Sequence, residues 1–323
     1  MQDRPPLVTT PSMKPQILLA AKVPPFLVEA LAQRYIVHDM LAQPDPGFVD
    51  RVAPQVRAVV ANGESTITAD FLARLPAVEL VSVFGVGYDG VDVQAARQRG
   101  IQVTNTPDVL TDDVADMAMA LLLAVARKVP QADRYVRDGQ WGRAAFPFTR
   151  KVSGARLGIV GLGRIGSAIA QRARGFGMHI AYTARSRKDG IDYPYYPTPR
   201  DLAEQVDMLI VSTVGGPATH GLIDAETLRA LGPQGILVNI ARGTVVDEDA
   251  LVEALATKAI AGAGLDVFAS EPRVPAALAS MDNVVLTPHM ASGTLETRTA
   301  MANLVLDNLD AHFAGRPLPT PVP

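Results

Sequence analysis

Short apolar runs alternate with amphipathic segments along the first hundred residues of the chain. Runs that suit strands lie at residues 16–22, 35–39, 56–61, 78–84 and 101–105. Segments with apolar residues at helical spacing lie between them, at residues 25–34, 48–53, 68–75 and 91–98. We place a helix start at Thr66 or Thr68. Strand–helix alternation with short connections is typical of a parallel sheet covered on both faces, so the pattern predicts an α/β domain.

A longer helical segment, Thr111–Arg127, follows this region and carries apolar residues over a wide face. A helix that is apolar nearly all round is buried on more than one side. Two explanations are compatible with this pattern: the helix lies between two layers of one subunit, or it lies in a subunit interface. Because its apolar surface exceeds what one face needs, we expect a homodimer formed through this helix.

A glycine-rich turn follows the next strand, at residues 156–160, and precedes a helix expected at residues 167–176. The motif GxGxxG is a weak signal alone, but strand–turn–helix is the context that dinucleotide binding requires. The first glycine permits the tight turn, the second lets the backbone approach pyrophosphate, and the third lets the helix pack on the strand. An unrelated packing turn is the alternative. The residues predicted to bind the dinucleotide are Gly161, Leu162, Gly163, Arg164, Ile165 and Gly166.

The residues after the following strand, at 178–182, bear on the choice of dinucleotide. A site for NAD places an Asp or Glu about 20 residues after the glycines, where it binds the ribose hydroxyls. Here Arg185, Ser186 and Arg187 stand at that place, and the first carboxylate is Asp189. Cations and a hydroxyl suit the 2′-phosphate of NADP. We therefore predict NADP, with a solvated basic loop as the alternative.

Three later strands, at residues 235–240, 263–268 and 284–287, are followed by Arg242, Glu271 and His289 respectively. The carboxyl ends of parallel strands meet at one edge, where ligands bind in open α/β sheets. A histidine can protonate the oxygen of a ketone that accepts hydride, and a carboxylate beside it favours its charged form. An arginine can grip a substrate carboxylate with both prongs of its guanidinium. The pattern predicts reduction of a small 2-keto acid.

Each of the three residues also has an ordinary explanation. His289 could be a core histidine, Glu271 a surface residue before a proline turn, and Arg242 a member of a structural salt bridge. The three ordinary explanations are less convincing in combination than singly, because all three residues fall at one edge of the predicted sheet. The other histidines are weaker candidates, and His312 is expected on a solvated helix end.

Composition narrows the class of protein further. The 323 residues suffice for two domains, and the net charge of −3 argues against a nucleic-acid partner. There is no cysteine, which excludes disulfides, thiol nucleophiles and Cys-ligated metals, and we predict no metal site. The longest apolar run, residues 117–126, is too short to span a bilayer, and residues 1–15 are polar, unlike a secretory signal. We expect a cytoplasmic protein with a disordered amino-terminal tail.

Beyond these patterns, the chain resembles the D-2-hydroxyacid dehydrogenase family over nearly its whole length. The glycine motif carries part of the resemblance, and the stretches that carry the rest are residues 85–92, 103–108, 111–116, 239–247, 264–268, 271–272 and 287–289. The resemblance implies two doubly wound parallel-sheet α/β domains. Residues 1–108, completed by 290–323, would form a flavodoxin-like substrate-binding domain, and residues 109–289 a Rossmann domain that binds NADP.

The resemblance also implies roles for single residues. Arg242, Glu271 and His289 would be the catalytic residues, and Arg242 would also bind the substrate. Val86 and Gly87 would offer backbone amides to the substrate carboxylate. Asp266, within the matching stretch 264–268, would join the cofactor contacts.

The basic segment at residues 185–187 departs from the family's usual acidic residue. It is similar to the NADP-using glyoxylate/hydroxypyruvate reductase branch, in which an aromatic residue near Trp141 can reach the partner subunit's active site. Trp141 could equally be a surface anchor. Related hydroxyphenylpyruvate and 2-ketogluconate reductases share the same motifs, so the preferred 2-keto acid stays open.

Three other classes with this fold match less well. Formate dehydrogenases pair the histidine with a glutamine where this chain has Glu271. Phosphoglycerate dehydrogenases often add a regulatory domain. Dinucleotide-sensing corepressors, which are binding proteins, typically carry long disordered tails for their partners.

Overall fold

A computed structural model describes residues 14–43 and 45–323, which divide into two compact units. Unit 1 comprises the described residues up to Pro107 together with Arg298–Pro323, and unit 2 comprises Asp108–Thr297. The tail expected at residues 1–15 lies outside the described residues, apart from its last two positions. Within the described ranges, no helix combines the length and the apolar character needed to cross a membrane.

Unit 1 is built on a sheet of parallel strands in the order β2-β1-β3-β4-β5, the flavodoxin-like order of a doubly wound sheet. Its strands are β1 (Gln16–Leu19), β2 (Ile36–Asp39), β3 (Val56–Asn62), β4 (Leu80–Phe84) and β5 (Gln102–Thr104). The helices between them are α1 (Pro25–Arg34), α2 (Phe48–Val52), α3 (Ala69–Ala73) and α4 (Val93–Gln98). The predicted α/β class is confirmed for this part of the chain.

Local sequence explains where the elements of unit 1 begin and what they bury. Helix α3 begins after Thr68, whose hydroxyl accepts the N–H of Phe71 at 3.1 Å, so the second of the two proposed starts is right. The central strands β3 and β4 are fully buried at Val59, Val60 and Val81. Strands covered on both faces carry continuous apolar runs, which is the pattern seen in the sequence.

Unit 2 is built on a second parallel sheet in the order β11-β10-β9-β8-β6-β7. Its strands are β6 (Arg156–Val160), β7 (His179–Thr183), β8 (Met208–Val211), β9 (Ile236–Asn239), β10 (Gly262–Leu265) and β11 (Val284–Leu286). A parallel bridge between Tyr182 and Tyr195 adds one more strand position outside β7. With that position included, the order counted along the chain is 3-2-1-4-5-6-7. This is the 3-2-1-4-5-6 order of the predicted Rossmann fold with β11 added beside the sixth strand.

The remaining helices complete the two units. They are α5 (Thr111–Arg127), α6 (Val129–Arg137), α7 (Arg164–Gly175), α8 (Pro199–Ala203), α9 (Ala225–Leu231), α10 (Glu248–Ala256), α11 (Ala276–Ser280) and α12 (Leu295–Phe313).

Helix α5 has the predicted bounds, and its apolar faces are used within unit 2, where it packs against β9, β10 and α7. Glycines in β10 make this approach close: a Cβ at Gly264 would lie 3.0 Å from the Cβ of Leu121, and one at Gly262 would lie 2.9 Å from Val125. Packing between layers of one subunit therefore accounts for the apolar pattern of α5. The homodimer stays a prediction that this pattern no longer supports by itself.

The expectation that His312 lies on a solvated helix end is wrong. Its side chain is 12% exposed, and its Nε2 lies 2.9 Å from the Oε2 of Glu79. The Glu79 carboxylate also accepts two hydrogen bonds from Arg57, and these bonds are the largest cause that lowers the pKa of Glu79. This contact could not be predicted from the sequence, because Glu79 and His312 lie 233 positions apart.

Candidate active site

The three glycines of the loop after β6 are used in three different ways. Gly161 has a φ of +96°, in the region that favours glycine, and a Cβ there would lie 2.8 Å from the backbone of Thr213. A Cβ at Gly166 would collide with the carbonyl oxygen of Gly161. At Gly163, by contrast, no described atom lies within 4 Å of a Cβ position. Leu162 is buried between them. The loop therefore combines a tight turn, an open backbone and close helix packing, which fits a dinucleotide pyrophosphate.

Helix α7 begins at Arg164, three residues before the predicted start at residue 167. The N–H of Ser167 donates to the carbonyl of Gly163 at 2.9 Å, which is the first turn of the helix. The N–H groups of Arg164, Ile165 and Gly166 precede that bond, so they have no partner within the helix. They point out of its N-terminus, which is the positive end of the helix dipole. The helix therefore begins one turn earlier than predicted, and Gly166 is required in this first turn by its contact with the Gly161 carbonyl.

The basic segment 185–187 follows β7, the strand beside β6. The N–H of Gly161 donates to the carbonyl of Thr183 at 2.9 Å, so the carboxyl ends of β6 and β7 lie side by side. Arg185, Ser186 and Arg187 are all exposed. The structure thus places the glycine loop and the basic segment side by side at the carboxyl edge of one sheet.

Two tyrosines that the sequence analysis did not single out hold the basic segment in place. The ring of Tyr182 is fully buried, and its hydroxyl accepts the N–H of Lys188 at 2.8 Å. The hydroxyl of Tyr195 donates to the carbonyl of Ala184 at 3.4 Å, and the two rings lie 5.4 Å apart. A tyrosine at the end of a strand before a basic loop is only a weak sequence signal, because its usual role is in the core.

His289 and Glu271 form a hydrogen-bonded pair after β11 and β10. The Nδ1 of His289 lies 2.7 Å from the Oε2 of Glu271, and the two side chains are 33% and 18% exposed. The other carboxylate oxygen, Oε1, accepts the N–H of Phe268 at 2.8 Å. Because Glu271 accepts at both oxygens, we assign the Nδ1 proton to the histidine. That assignment leaves Nε2 as the ring atom that can exchange a proton with another molecule.

Asp266 holds the loop that carries His289. Its buried carboxylate accepts the hydroxyl of Thr287 at 2.6 Å and the N–H groups of Met290 and Ala291 at 2.9 and 2.8 Å. Its carbonyl accepts the N–H of His289 at 2.8 Å. His289 itself has a φ of +49°, a left-handed conformation that is uncommon outside glycine. The side chain of Asp266 therefore binds this loop, and its contact with a cofactor stays a prediction.

Arg242 follows β9 in a turn shaped by Asn239. The Oδ1 of Asn239 accepts the N–H of Ala241 at 3.0 Å, and its Nδ2 donates to the carbonyl of Arg242 at 2.9 Å. The partly buried guanidinium of Arg242 donates from Nη1 to the carbonyl of Ala241 at 2.8 Å. The turn therefore fixes the backbone of Arg242 through a buried amide side chain.

The structure brings the three predicted catalytic residues to neighbouring strand ends. Strands β9, β10 and β11 lie next to one another, and each is followed by one of the three loops. Gly243 fits so tightly against the backbone of Phe268 that a Cβ would collide with it. Phe268 in turn donates its N–H to Glu271. The arginine turn and the acid–base pair are thus joined through one backbone, and together they can bind a carboxylate and deliver a proton.

Val86 and Gly87, the residues predicted to bind the substrate carboxylate, lie in unit 1 after β4. The carbonyl of Gly85 accepts the N–H of Thr106 at 2.8 Å, and that of Val86 accepts the side-chain Nδ2 of Asn105 at 2.8 Å. Asn105 was not among the candidate residues of the sequence analysis.

Trp141 lies in a short 3₁₀ turn after α6, where its side chain is 70% exposed. Its two suggested roles, as a surface anchor or as a residue that reaches the partner subunit, stay predictions.

The Rossmann sheet, its glycine loop and the acid–base pair beside the arginine are features of a dinucleotide-linked dehydrogenase. The sequence profile described as "D-isomer specific 2-hydroxyacid dehydrogenase, NAD binding domain" matches residues 119–291. This match covers more than half of the chain, which belongs to the D-isomer specific 2-hydroxyacid dehydrogenase family.

Relatives with assigned activities cover nearly the whole chain. A hydroxyphenylpyruvate reductase of Plectranthus scutellarioides is 47% identical, over 95% of this chain and 98% of the relative. A 2-ketogluconate reductase of Gluconobacter oxydans is 44% identical, over 96% and 99%. The crystal structure of an NADPH-dependent glyoxylate/hydroxypyruvate reductase from Sinorhizobium meliloti, in complex with NADP and malonate, matches with a TM-score of 0.89 and 45% identity, covering 96% of this chain and 97% of that one.

Proposed function

We propose that the protein reduces a small 2-keto acid of the glyoxylate/hydroxypyruvate type to the D-2-hydroxy acid, with NADPH as the cofactor. The observation that carries the proposal is the 2.7 Å contact between His289 and Glu271 at the carboxyl edge of the Rossmann sheet. Relatives named for the reduction of hydroxyphenylpyruvate, 2-ketogluconate and glyoxylate/hydroxypyruvate support a 2-keto acid as the substrate class.

In this reaction His289 is the general acid. The bound nicotinamide supplies the hydride, and negative charge develops on the ketone oxygen. His289 gives its Nε2 proton to that oxygen and becomes neutral, while its Nδ1 proton stays hydrogen-bonded to Glu271. The Glu271 carboxylate stabilises the imidazolium before the transfer and keeps the ring in one orientation. In the reverse direction the neutral ring accepts the hydroxyl proton at the same nitrogen.

The substrate carboxylate is bound by Arg242 and by the amides of Val86 and Gly87. A planar guanidinium matches the two oxygens of a carboxylate, which orients the neighbouring carbonyl. The turn held by Asn239 limits the positions that the Arg242 backbone can take. Such preorganisation lowers the entropy cost of aligning the ketone.

The glycine loop and the basic segment bind the cofactor. The N–H groups of Arg164, Ile165 and Gly166 at the start of α7 bind the pyrophosphate. Arg185, Ser186 and Arg187 bind the 2′-phosphate, which distinguishes NADP from NAD. Asp266 stays a proposed cofactor contact, because a carboxylate with three observed donors still has acceptor capacity.

We also propose that the protein is a homodimer in the cytoplasm. The absence of cysteine fits a reducing compartment. Large apolar side chains are exposed along the segment that follows α5, namely Val129, Val136, Trp141 and Phe148. Exposed apolar side chains that together form a patch mark interaction surfaces, so we place part of the proposed interface in this segment. Light scattering at micromolar concentration should give twice the mass of the chain; a monomer would contradict the proposal.

The test of the reaction is the loss of NADPH absorbance with glyoxylate, hydroxypyruvate, hydroxyphenylpyruvate and 2-ketogluconate in turn. We expect turnover of at least one of them, and a loss of roughly 10²–10⁴-fold in kcat for His289→Ala, the usual size for a general acid. NADPH binding, followed by fluorescence, should stay near normal in that variant. Turnover of none of these acids by the wild type, or an unaffected kcat in His289→Ala, would reject the proposed function.

The roles of the two arginines can be separated by similar measurements. Arg242→Lys keeps the charge but loses the planar fork, so kcat/KM for the keto acid should fall while NADPH binding is retained. Arg185→Ala should raise KM for NADPH much more than KM for NADH. Arg229→Ala, a surface arginine of α9, serves as the control and should change neither. A wild type that prefers NADH would exclude the assigned cofactor.

A further inference from the structure

The loop after β4 contains two peptide groups, Gly85–Val86 and Val86–Gly87, whose N–H groups are the proposed carboxylate donors. Both peptides are trans. In a trans peptide the C=O and the N–H point in opposite directions from one rigid plane. Any group that holds the carbonyl of Gly85 or Val86 therefore also sets the direction of the following amide.

Both carbonyls are held from the same stretch of chain. The backbone N–H of Thr106 donates to Gly85 O, and the side-chain Nδ2 of Asn105 donates to Val86 O, each at 2.8 Å. This proximity follows from the sheet, because β4 pairs in parallel with β5 and both strands run to the same edge. The first bond needs only a backbone, whereas the second needs a side-chain donor. Of the two contacts, only the one from Asn105 therefore depends on the identity of the side chain.

Asn105 is itself fixed by the last residues of the chain. Its N–H donates to the carbonyl of Thr320 at 3.3 Å, and its carbonyl accepts the Thr320 hydroxyl at 2.6 Å. Two residues further on, the N–H of Val322 donates to the carbonyl of Val103 at 2.8 Å. The segment 320–322 therefore runs along the edge of β5 as an antiparallel partner and ends the sheet on that side.

Thr320 is in turn held by a fully buried asparagine of α12. Asn308 donates from Nδ2 to the hydroxyl of Thr320 at 2.8 Å and to the carbonyl of Leu304 at 2.7 Å. Its Oδ1 accepts the N–H of Thr320 at 3.2 Å. A network built on a buried asparagine is costly to break, because Asn308 would stay buried and unsatisfied if Thr320 lost its contacts.

We infer that Asn105 is a positioning residue for the substrate: through Val86 O it aims the Gly87 amide at the carboxylate, and Thr320 with Asn308 holds Asn105 in place. The inference rests on the proposed function, because it takes the 2-keto acid carboxylate as the group that these amides bind. The inference therefore makes substrate affinity depend on residues of α12 and of the segment 320–322, which act on the loop 85–87 through Asn105.

The experiment measures binding of oxamate, an unreactive analogue that keeps the carboxylate of a 2-keto acid and carries an amide in place of the ketone. Its dissociation constant is determined by calorimetry on the protein saturated with NADPH. The variants are Asn105→Ala, which removes the donor to Val86 O, and Thr320→Val, which keeps the shape but removes the hydroxyl. KM and kcat for the best keto acid, the NADPH dissociation constant and the thermal midpoint are measured alongside.

Ser82→Ala is the matched control. The hydroxyls of Ser82 and Thr104 form a buried hydrogen bond of 3.1 Å between the same two strands. Its loss should lower the thermal midpoint without reaching the loop 85–87. A general effect of destabilising this edge of the sheet would appear in Ser82→Ala as well, whereas a positioning effect would not.

For Asn105→Ala we expect the oxamate dissociation constant and KM to rise about tenfold, the factor that corresponds to one well-placed hydrogen bond, with a smaller fall in kcat. Thr320→Val should give about a threefold rise, since it acts one step further away. NADPH affinity should not change in either. This second variant keeps the inference testable if Asn105→Ala fails to fold.

Oxamate affinity within twofold of the wild type in Asn105→Ala, or an equal loss in Ser82→Ala, would overturn the inference while leaving the proposed function intact. If Asn105→Ala does not fold, normal oxamate affinity in Thr320→Val would overturn it equally. A wild-type protein that neither binds oxamate nor reduces any 2-keto acid would reject the proposed function, and this inference with it.

Discussion

Two glycine-containing loops in the molecule are proposed to present backbone amides to an anion, and they hold those amides in different ways. Residues 161–166 run directly into α7, whose hydrogen bonds orient the amides. Residues 85–87 run into a turn, and α4 begins only at Val93. There the peptides are held by Asn105 and Thr106 instead. A helix terminus needs only local sequence to aim its amides, whereas a loop without one depends on distant residues.

The largest effect that separates the two loops is expected at Gly166. Gly166→Ala places a Cβ against the carbonyl oxygen of Gly161, where backbone rather than a flexible side chain must move. We expect either loss of soluble protein or at least a roughly 100-fold weaker binding of NADPH, the order of loss produced by a displacement of about 1 Å in a binding site. Fluorescence titration with NADPH measures the binding.

Gly163→Ala is the matched variant, because the Cβ position there is open and φ is negative. Its thermal midpoint should stay close to that of the wild type, while NADPH binding weakens because the added methyl group occupies the approach to the pyrophosphate. Wild-type NADPH affinity in Gly166→Ala would contradict the role given to this loop.

The corresponding change in unit 1 is Gly90→Ala, three residues after the loop 85–87. Its Cβ would collide with the carbonyl of Ser65, so the turn must shift. Overpacking of this kind costs about 1–3 kcal/mol. We expect a higher KM for the keto acid and an unchanged NADPH dissociation constant, the reverse of the result for Gly163→Ala. Steady-state kinetics with both substrates varied would show this, and a loss confined to NADPH binding would argue against separate roles for the two loops.

A smaller effect is expected at Tyr182, which holds the basic segment. Tyr182→Phe removes the hydroxyl that accepts the Lys188 N–H, a bond worth about 1 kcal/mol. KM for NADPH should rise about fivefold, with little change in KM for NADH. Tyr195→Phe is the control, because its bond to Ala184 is longer at 3.4 Å, and its effect should be weaker. Equal changes for the two cofactors would show that the segment does not bind the 2′-phosphate.

The smallest effect concerns an ion pair that occurs in both units. Arg156 and Asp207 connect the starts of β6 and β8, as Arg57 and Glu79 connect β3 and β4. Hydrogen bonds from Arg156 lower the pKa of Asp207. Because the pKa of Asp207 is lower in the folded chain than in the unfolded chain, where it is near 4, the ionised carboxylate stabilises the fold at higher pH. This stabilisation is lost as pH falls through the pKa of Asp207 in the folded chain.

Asp207→Asn should therefore reduce the free energy of unfolding at pH 7 by about 1 kcal/mol, and this difference should shrink as pH falls below about 4. Glu79→Gln should cost less, because the Glu79 side chain is 44% exposed and that of Asp207 is 26% exposed. Chemical denaturation across this pH range measures both. A difference that is independent of pH would mean that the charge of Asp207 is not what stabilises the fold.

The sequence predicted what is encoded locally. Strands buried on both faces, the motif around Gly161 and the helix Thr111–Arg127 each depend on neighbouring residues, and the structure has them close to the predicted bounds. Arg242, Glu271 and His289 could be placed at one edge because parallel strands share a direction. The start of α7 was misplaced because propensity argues against a glycine in the first turn, while tertiary packing requires Gly166 there.

The supports of the site could not be predicted in the same way. Asn105 lies 19 positions from Val86, and Thr320 lies 215 positions from Asn105. No local pattern distinguishes such an asparagine or threonine from one that faces solvent. The apolar pattern of α5 was compatible with two environments, and the glycines of β10, which favour one of them, have no meaning until the helix and strand are known to pack together.

The left-handed backbone at His289 has a consequence for how this protein can change over evolutionary time. For residues other than glycine, asparagine and aspartate, that conformation costs roughly 1–2 kcal/mol. A descendant released from the need for its reaction would gain stability by replacing this histidine with glycine, with the loop bonds to Asp266 left intact. Under the proposed function, position 289 is where selection for the reaction and selection for thermal stability conflict.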